Sequence, residues 1–89
     1  MLTLPAYLGN PDNRAIIQGT VDSFVPLPIG DVTILGVVVD NSTIDDDDFK
    51  DDDIPIGRTA FFNRLAVGDL VKARLDIDTG DWDQIEFED

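Results

Sequence analysis

A chain of 89 residues with a formal net charge of −13, no histidine and no cysteine has room for one hydrophobic core and lacks the residues for disulfides, thiolate zinc sites, cysteine nucleophiles and histidine acid–base chemistry. Six basic residues against nineteen acidic ones exclude binding to the phosphate backbone of duplex or single-stranded nucleic acid, which relies on Lys and Arg displacing counterions. A 43% hydrophobic composition is too apolar for a disordered acidic tail, so the chain is expected to fold.

The first eight residues are apolar, but they lack a basic leader and are interrupted by Gly9-Asn10-Pro11, so they do not read as a signal peptide. Leu4, Tyr7 and Leu8 are instead expected to cover one side of a sheet. No run approaches the ~20 apolar residues that span a bilayer, and no membrane insertion is expected. Residues 14–24 alternate, with Ile17, Gly19 and Val21 on one face and Gln18, Thr20 and Asp22 on the other, as in a half-buried strand. Pro26 and Pro28 interrupt pairing, and Gly30-Asp31 turns the chain. Residues 32–40 are rich in β-branched side chains and apolar on both faces, predicting one buried strand with a bulge or sharp bend at Gly36.

Asn41-Ser42-Thr43 matches a glycosylation acceptor, relevant only in a eukaryotic secretory setting. Residues 45–53, read D-D-D-D-F-K-D-D-D, are expected to form a solvated, mobile acidic loop, because like charges this dense repel one another. Thr59 could cap a short helix that turns Phe61, Phe62 and Leu65 toward the core. Val67-Gly68-Asp69 makes a turn, with Gly68 suited to positive φ and Asp69 able to bond within it. An amphipathic strand over 70–78 follows, with Val71, Ala73, Leu75 and Ile77 inward. A final strand over 82–88 turns Ile85 and Phe87 inward. Hydrophobic matching predicts Leu75 opposite Ile85, Ala73 opposite Phe87, Arg74 opposite Glu86 and Lys72 opposite Glu88, across an odd-length loop.

This order predicts a single all-β domain over residues 1–89: a small OB-like barrel of five to six strands, with one short helix before the fourth strand and an acidic loop at 45–53. An SH3-like barrel is the alternative. Gly19-Thr20-Val21, residues 34–39, Asn41-Ser42-Thr43, Leu65-Ala66-Val67-Gly68-Asp69-Leu70-Val71 and the closing Ile85-Glu86 together resemble a bacterial family of domains of unknown function. Members of that family carry a G-x-V strand, a hydrophobic-Gly-hydrophobic strand, an L-x-V-G-D-x-V turn and strand, and a terminal hydrophobic-Glu. The resemblance implies a periplasmic or envelope setting and supplies no catalytic residues; the acidic insert and the single copy depart from the family pattern.

Catalytic signatures are missing. There is no G-x-S-x-G elbow, S-x-x-K context or glycine-rich phosphate loop. Asp78-Thr79-Gly80 is followed by Asp81 rather than a small or hydroxylic residue, which suits a hairpin turn better than a protease loop. The residues therefore read as those of a non-enzyme. Asp45, Asp46, Asp47, Asp48, Asp51, Asp52 and Asp53 form a candidate cation cluster for weak Ca2+ or Mg2+ association. The EF-hand order fails there, since from Asp45 the fifth position is Phe49 and the sixth Lys50. Asp76, Asp78, Asp81 and Asp83 make a second acidic group. Trp82, expected to face outward or sit at the hairpin tip, is the candidate partner-binding residue. These features point to a non-catalytic β-barrel interaction module that favours a protein partner with a basic surface. An acidic decoy that mimics nucleic acid and a calcium-dependent structural module are the alternatives.

Overall fold

The alternating pattern of residues 14–24 produces one eleven-residue strand, β1 (Arg14–Phe24), around which the sheet is organised in the computed structural model of residues 14–88. Ala15, Ile17 and Val21 are buried on its inner face. The first half pairs with β6 (Leu70–Asp76), from Arg14↔Asp76 to Thr20↔Leu70. After an irregularity between Val21 and Ser23, its end pairs on the other side with β2 (Asp31–Ile34). One strand thus serves two sides of a small barrel, the device by which bulged strands turn corners. The expectations for Leu4, Tyr7, Leu8 and the apolar start of the chain lie outside the described residues.

Gly36 is not a bend within one strand. Leu35 (φ 51) and Gly36 (φ 77) form a two-residue turn between β2 and β3 (Val37–Asp40), two strands rather than one. Positive φ at both central positions is the geometry that closes tight hairpins, and Leu35 carries it at a cost of about 1–2 kcal/mol. Its side chain lies over the inner face of β1, where a Cβ on Gly19 would come within 2.7 Å of the Leu35 Cγ. A side chain at Gly19 would therefore require Leu35 to move.

The acidic run is built into the sheet, correcting the expected loop at 45–53. Asp46–Asp48 make a single 3-10 turn, and β4 (Phe49–Asp51) pairs parallel with β7 (Asp81–Phe87), Phe49 lying against Ile85. Asp52 and Asp53, both at positive φ, turn the chain into β5 (Ile54–Pro55); aspartate tolerates that region better than most residues. Phe49 is fully buried, its ring centroid 5.5 Å from that of Phe61 and 6.1 Å from that of Phe62.

Phe61 and Phe62 come from α1 (Arg58–Arg64), and Phe61 stacks at 4.5 Å on Phe87 of β7. The helix begins earlier than Thr59. Gly57 (φ 87) is its boundary residue, and Asp46 Oδ1 accepts a bond from the Arg58 N–H at 2.9 Å. The turn after the helix is as expected: Gly68 has φ 94, and Asp69 Oδ2 accepts from the Ala66 N–H at 2.8 Å.

The described residues form a seven-stranded sheet in the order β3-β2-β1-β6-β7-β4-β5, curled over the aromatic cluster with α1 plugging one end. The fold is all-β and barrel-like, as expected. The strand count exceeds five to six, and the helix precedes the sixth strand rather than the fourth, because the expected bent strand is a hairpin and the acidic run adds two short strands.

The final hairpin corrects the register by two residues: Ala73 faces Ile85, Val71 faces Phe87, and Lys72 faces Glu86. Its loop, residues 77–80, is even in length, and an irregularity between Arg74 and Leu75 leaves β7 one extra residue, so that Leu75 faces Trp82 and Asp76 faces Asp81. A bulge restores the parity that an odd loop would have provided.

Replacing Phe49 with Ala should cost about 3–5 kcal/mol in urea unfolding. Replacing Asp46 with Ala should cost about 0.5–2 kcal/mol through loss of the helix cap. Changing Asp45, Asp47 and Asp48 together to Asn should instead raise Tm at low salt, with the gain fading by about 1 M salt, where the screening length is roughly 3 Å.

Candidate functional site

Most of the seven aspartates of the acidic run are used locally, and they do not converge on one point. Asp46 caps α1, Asp51 pairs with Arg64, and the Asp53 N–H donates to Glu86 Oε2 at 2.9 Å. Asp52 and Asp53 shape a turn, while Asp45 and Asp47 remain exposed and Asp48 is half-buried. Among the described residues, no group of three or more carboxylates is gathered as a metal ion would require. The second acidic group is likewise divided. Asp83 receives both Arg14 Nε at 2.8 Å and Arg74 Nε at 2.6 Å, and Asp76 lies 3.6 Å from Arg14.

Trp82 is not outward. The extra residue in β7 rotates it to face Leu75 across the hairpin, and it is buried in the core cluster, with Thr43 Oγ1 donating to its carbonyl at 2.6 Å. It therefore presents no exposed anchor to a partner. Asn41 is also buried. Its Nδ2 donates to the carbonyls of Ile29, at 3.1 Å, and Gly30, and its Oδ1 accepts from Arg58 Nε at 3.1 Å. That amide is thus engaged inside the fold and is no accessible acceptor for a sugar.

The most demanding electrostatic feature is Glu86, an acid whose side chain is only 2% exposed. Lys72 Nζ lies 3.0 Å from Glu86 Oε1 and 3.1 Å from Glu88, and Gln84 Nε2 donates to Glu86 Oε1 at 3.2 Å. Burial pushes the Glu86 carboxyl up, but the Asp53 N–H and the Lys72 ammonium together outweigh it and hold the group below its ordinary value. Burial likewise pushes the Lys72 ammonium down, and its two glutamates reverse that, leaving it above its ordinary value. The amphipathic pattern of β6 shows that Lys72 faces outward. It does not show that the facing glutamate is buried, because that depends on the β6–β7 register and the Asp52-Asp53 turn.

Arg58 is the other residue missed from sequence. It donates to the Ile44 carbonyl at 2.6 Å and lies 5.0 Å from the Phe49 ring centroid. Arg64 lies 4.2 Å from the Phe87 ring centroid. Five of the six basic side chains, Arg14, Arg58, Arg64, Lys72 and Arg74, are thus held by the protein's own carboxylates, carbonyls or rings. All six lie outside residues 19–44, the span that forms the end of β1 and the β2–β3 hairpin. That half carries Asp22, Asp31 and Asp40. Asp22 Oδ2 accepts from the Gly36 N–H at 3.0 Å, and Asp40 from the Ser42 N–H at 2.8 Å, a bond that lowers the Asp40 carboxyl below its ordinary value. Four large apolar residues, Val25, Ile29, Leu35 and Val38, are exposed in the same half.

Compared with known proteins, the chain matches no protein-family profile, no curated protein and no solved structure.

The Glu86–Lys72 pair sets a pH window for stability. Glu86, lowered in the fold, contributes fully above its ordinary value of 4.5 and loses that contribution as pH falls through the folded value; Lys72, raised, contributes fully below 10.5 and loses it as pH rises through its folded value. Glu86→Gln should therefore cost about 1–3 kcal/mol near neutral pH. The difference from the parent in urea midpoint should shrink as pH falls below about 4.5.

Proposed function

We propose that this protein is a non-catalytic interaction module whose cation-free half docks a basic protein. The observation that carries the reading is the allocation of charge: nearly every basic side chain is engaged by the protein itself, Arg58 at Asn41 and Ile44 and the others around β6–β7 and α1, while residues 19–44 contribute no cation of their own and expose Asp22, Asp40 and apolar side chains. A field of one sign over such a surface speeds encounter with a partner of the opposite sign and suppresses other partners. Exposed apolar residues within the field supply the desolvated contacts that a purely solubilising charge does not need. Among the described residues no helix is long and apolar enough to cross a membrane. The resemblance to the bacterial domain family supports a periplasmic or envelope setting as part of this proposal.

Capture from a lysate of the source organism at low and high salt, with the bound proteins identified, tests the reading. Basic proteins should be retained at low salt and released at high salt, and changing Asp22, Asp31 and Asp40 together to Asn should reduce their capture about tenfold. Unchanged capture by that variant would overturn the reading. Competition of the captured protein with DNA would select the nucleic-acid decoy instead. A stoichiometric, micromolar calcium site with a large rise in Tm would select the calcium-dependent module.

A further inference from the structure

Building on the proposed docking of a basic partner, we propose that the edge of β3 that no described strand pairs is the docking rail, and that its occupant is an extended basic peptide segment that joins the sheet as an additional strand. Among the described residues the sheet ends at β3 on one side and at β5 on the other. The β5 edge is two residues long and contains Pro55, which lacks the N–H a ladder needs. The β3 edge presents Val37, Val38 and Val39, and among the described residues no strand pairs with its outer side, although β7 comes close to β3 and receives the Thr43 hydroxyl just beyond the end of β3.

The hairpin decides which backbone groups are available. Across the Leu35-Gly36 turn, Ile34 and Val37 are the closing pair, followed by Thr33↔Val38 and Val32↔Val39. The closing pair of a two-residue hairpin is hydrogen-bonded and the pattern alternates along an antiparallel ladder, so Val38 directs its N–H and C=O away from β2. The side chain of Val38 is 56% exposed. Strand addition to such an edge draws affinity from the main chain and selectivity from the alternating side chains.

Charge identifies the occupant. On the outer face Val38 lies beside Asp40, and Asp40 faces Asp31 across the hairpin. Like charges directly opposite are destabilising, and no cation of residues 19–44 relieves them. A Lys or Arg on the incoming strand beside Asp40 would do so. Residues beside Val37 and Val39 would face inward, where Val39 is buried and Val37 half-buried, and should be apolar. The occupant is therefore a segment alternating apolar and basic residues. A second copy of this chain would bring Asp31 and Asp40 against their own kind, so the same carboxylates disfavour self-pairing.

The test is amide NMR on the isotopically labelled full chain at low salt. The probes are a short peptide alternating lysine and valine, the same peptide N-methylated along one edge, and oligolysine of equal charge. The alternating peptide should shift and protect the Val38 and Asp40 amides, and the N-methylated form should bind about tenfold more weakly or worse. Val38→Pro, which removes an outward donor only, should lose the alternating peptide while keeping oligolysine. If that variant does not fold, the N-methylated comparison on the parent chain decides alone. Equal affinity for the alternating peptide and oligolysine, with shifts spread over the acidic surface, would overturn the edge proposal and leave charge-driven docking standing. Binding of neither peptide would overturn both. Self-association through β3 without a peptide effect would overturn the edge proposal in favour of a second copy.

Discussion

Phe49 must lie beneath α1 for the barrel to have a filled interior, and in sequence it follows the aspartates 45–48 and precedes Lys50 and the aspartates 51–53. Burying a phenylalanine contributes about 1.5–3 kcal/mol, and edge-to-face ring contacts such as those with Phe61 add about 0.5–1.5 kcal/mol each. Two unit charges about 8 Å apart in water repel by only ~0.5 kcal/mol before salt screens them. Hydrophobic anchoring therefore wins over the repulsion of the run, and β4 forms where charge density alone argues for a loop. Once Phe49 is placed, the neighbouring aspartates acquire local uses: Asp46 at the start of α1, Asp51 against Arg64, and Asp52-Asp53 in a turn at positive φ.

The scarcity of cations governs the rest of the surface. With six basic residues for nineteen acids, those present are spent where burial or crowding makes an unpaired carboxylate most costly. Glu86 is the clearest case, because an uncompensated buried charge costs several kcal/mol whereas a solvated one costs little. Asp83, bridged by Arg14 and Arg74 at the bulge of β7, holds the ends of β1, β6 and β7 together. The allocation leaves the β2–β3 half with carboxylates in water and no cation, so the acidity of that half follows from the stability requirements of the other.

Legibility in the sequence tracks how local each determinant is. β1, β6, β7 and the turn at Gly68-Asp69 are readable because period-two alternation and turn chemistry act within a few residues. The inward positions Ile17, Val21, Val71, Ala73, Ile85 and Phe87 all lie in the core and Leu75 packs against it, but β6 ends at Asp76 and Ile77, expected inward, is exposed in the hairpin loop. The register of the last hairpin is not readable, because a bulge compensates an even loop and leaves the core-facing parity unchanged; the same displacement moves Trp82 inward. Gly36 is ambiguous for a related reason: a bend and a tight turn demand the same glycine, and what separates them, the pairing of Ile34 with Val37 and the Asp22 bond to the Gly36 N–H, is not local to it. Of the site, the aspartates and their charge were legible, but their separate structural uses were not, since each depends on a residue far away in sequence, Arg58, Arg64 or Glu86.

The open side of the barrel has its own physical cause. After Asp40 the chain leaves the sheet in a 3-10 turn, and buried Asn41 is bound by the carbonyls of Ile29 and Gly30 on one side and by Arg58 on the other. Arg58 also holds the Ile44 carbonyl and lies over Phe49. This crossing carries the chain from the end of β3 to the start of β4 at the other end of the strand order, so β3 and β4 do not pair and the described strands do not close into a hydrogen-bonded ring. An edge left in this way usually invites association with copies of the same chain. Here its short length and the facing carboxylates of Asp31 and Asp40 oppose that outcome, while leaving the Val38 backbone open to a strand of opposite charge.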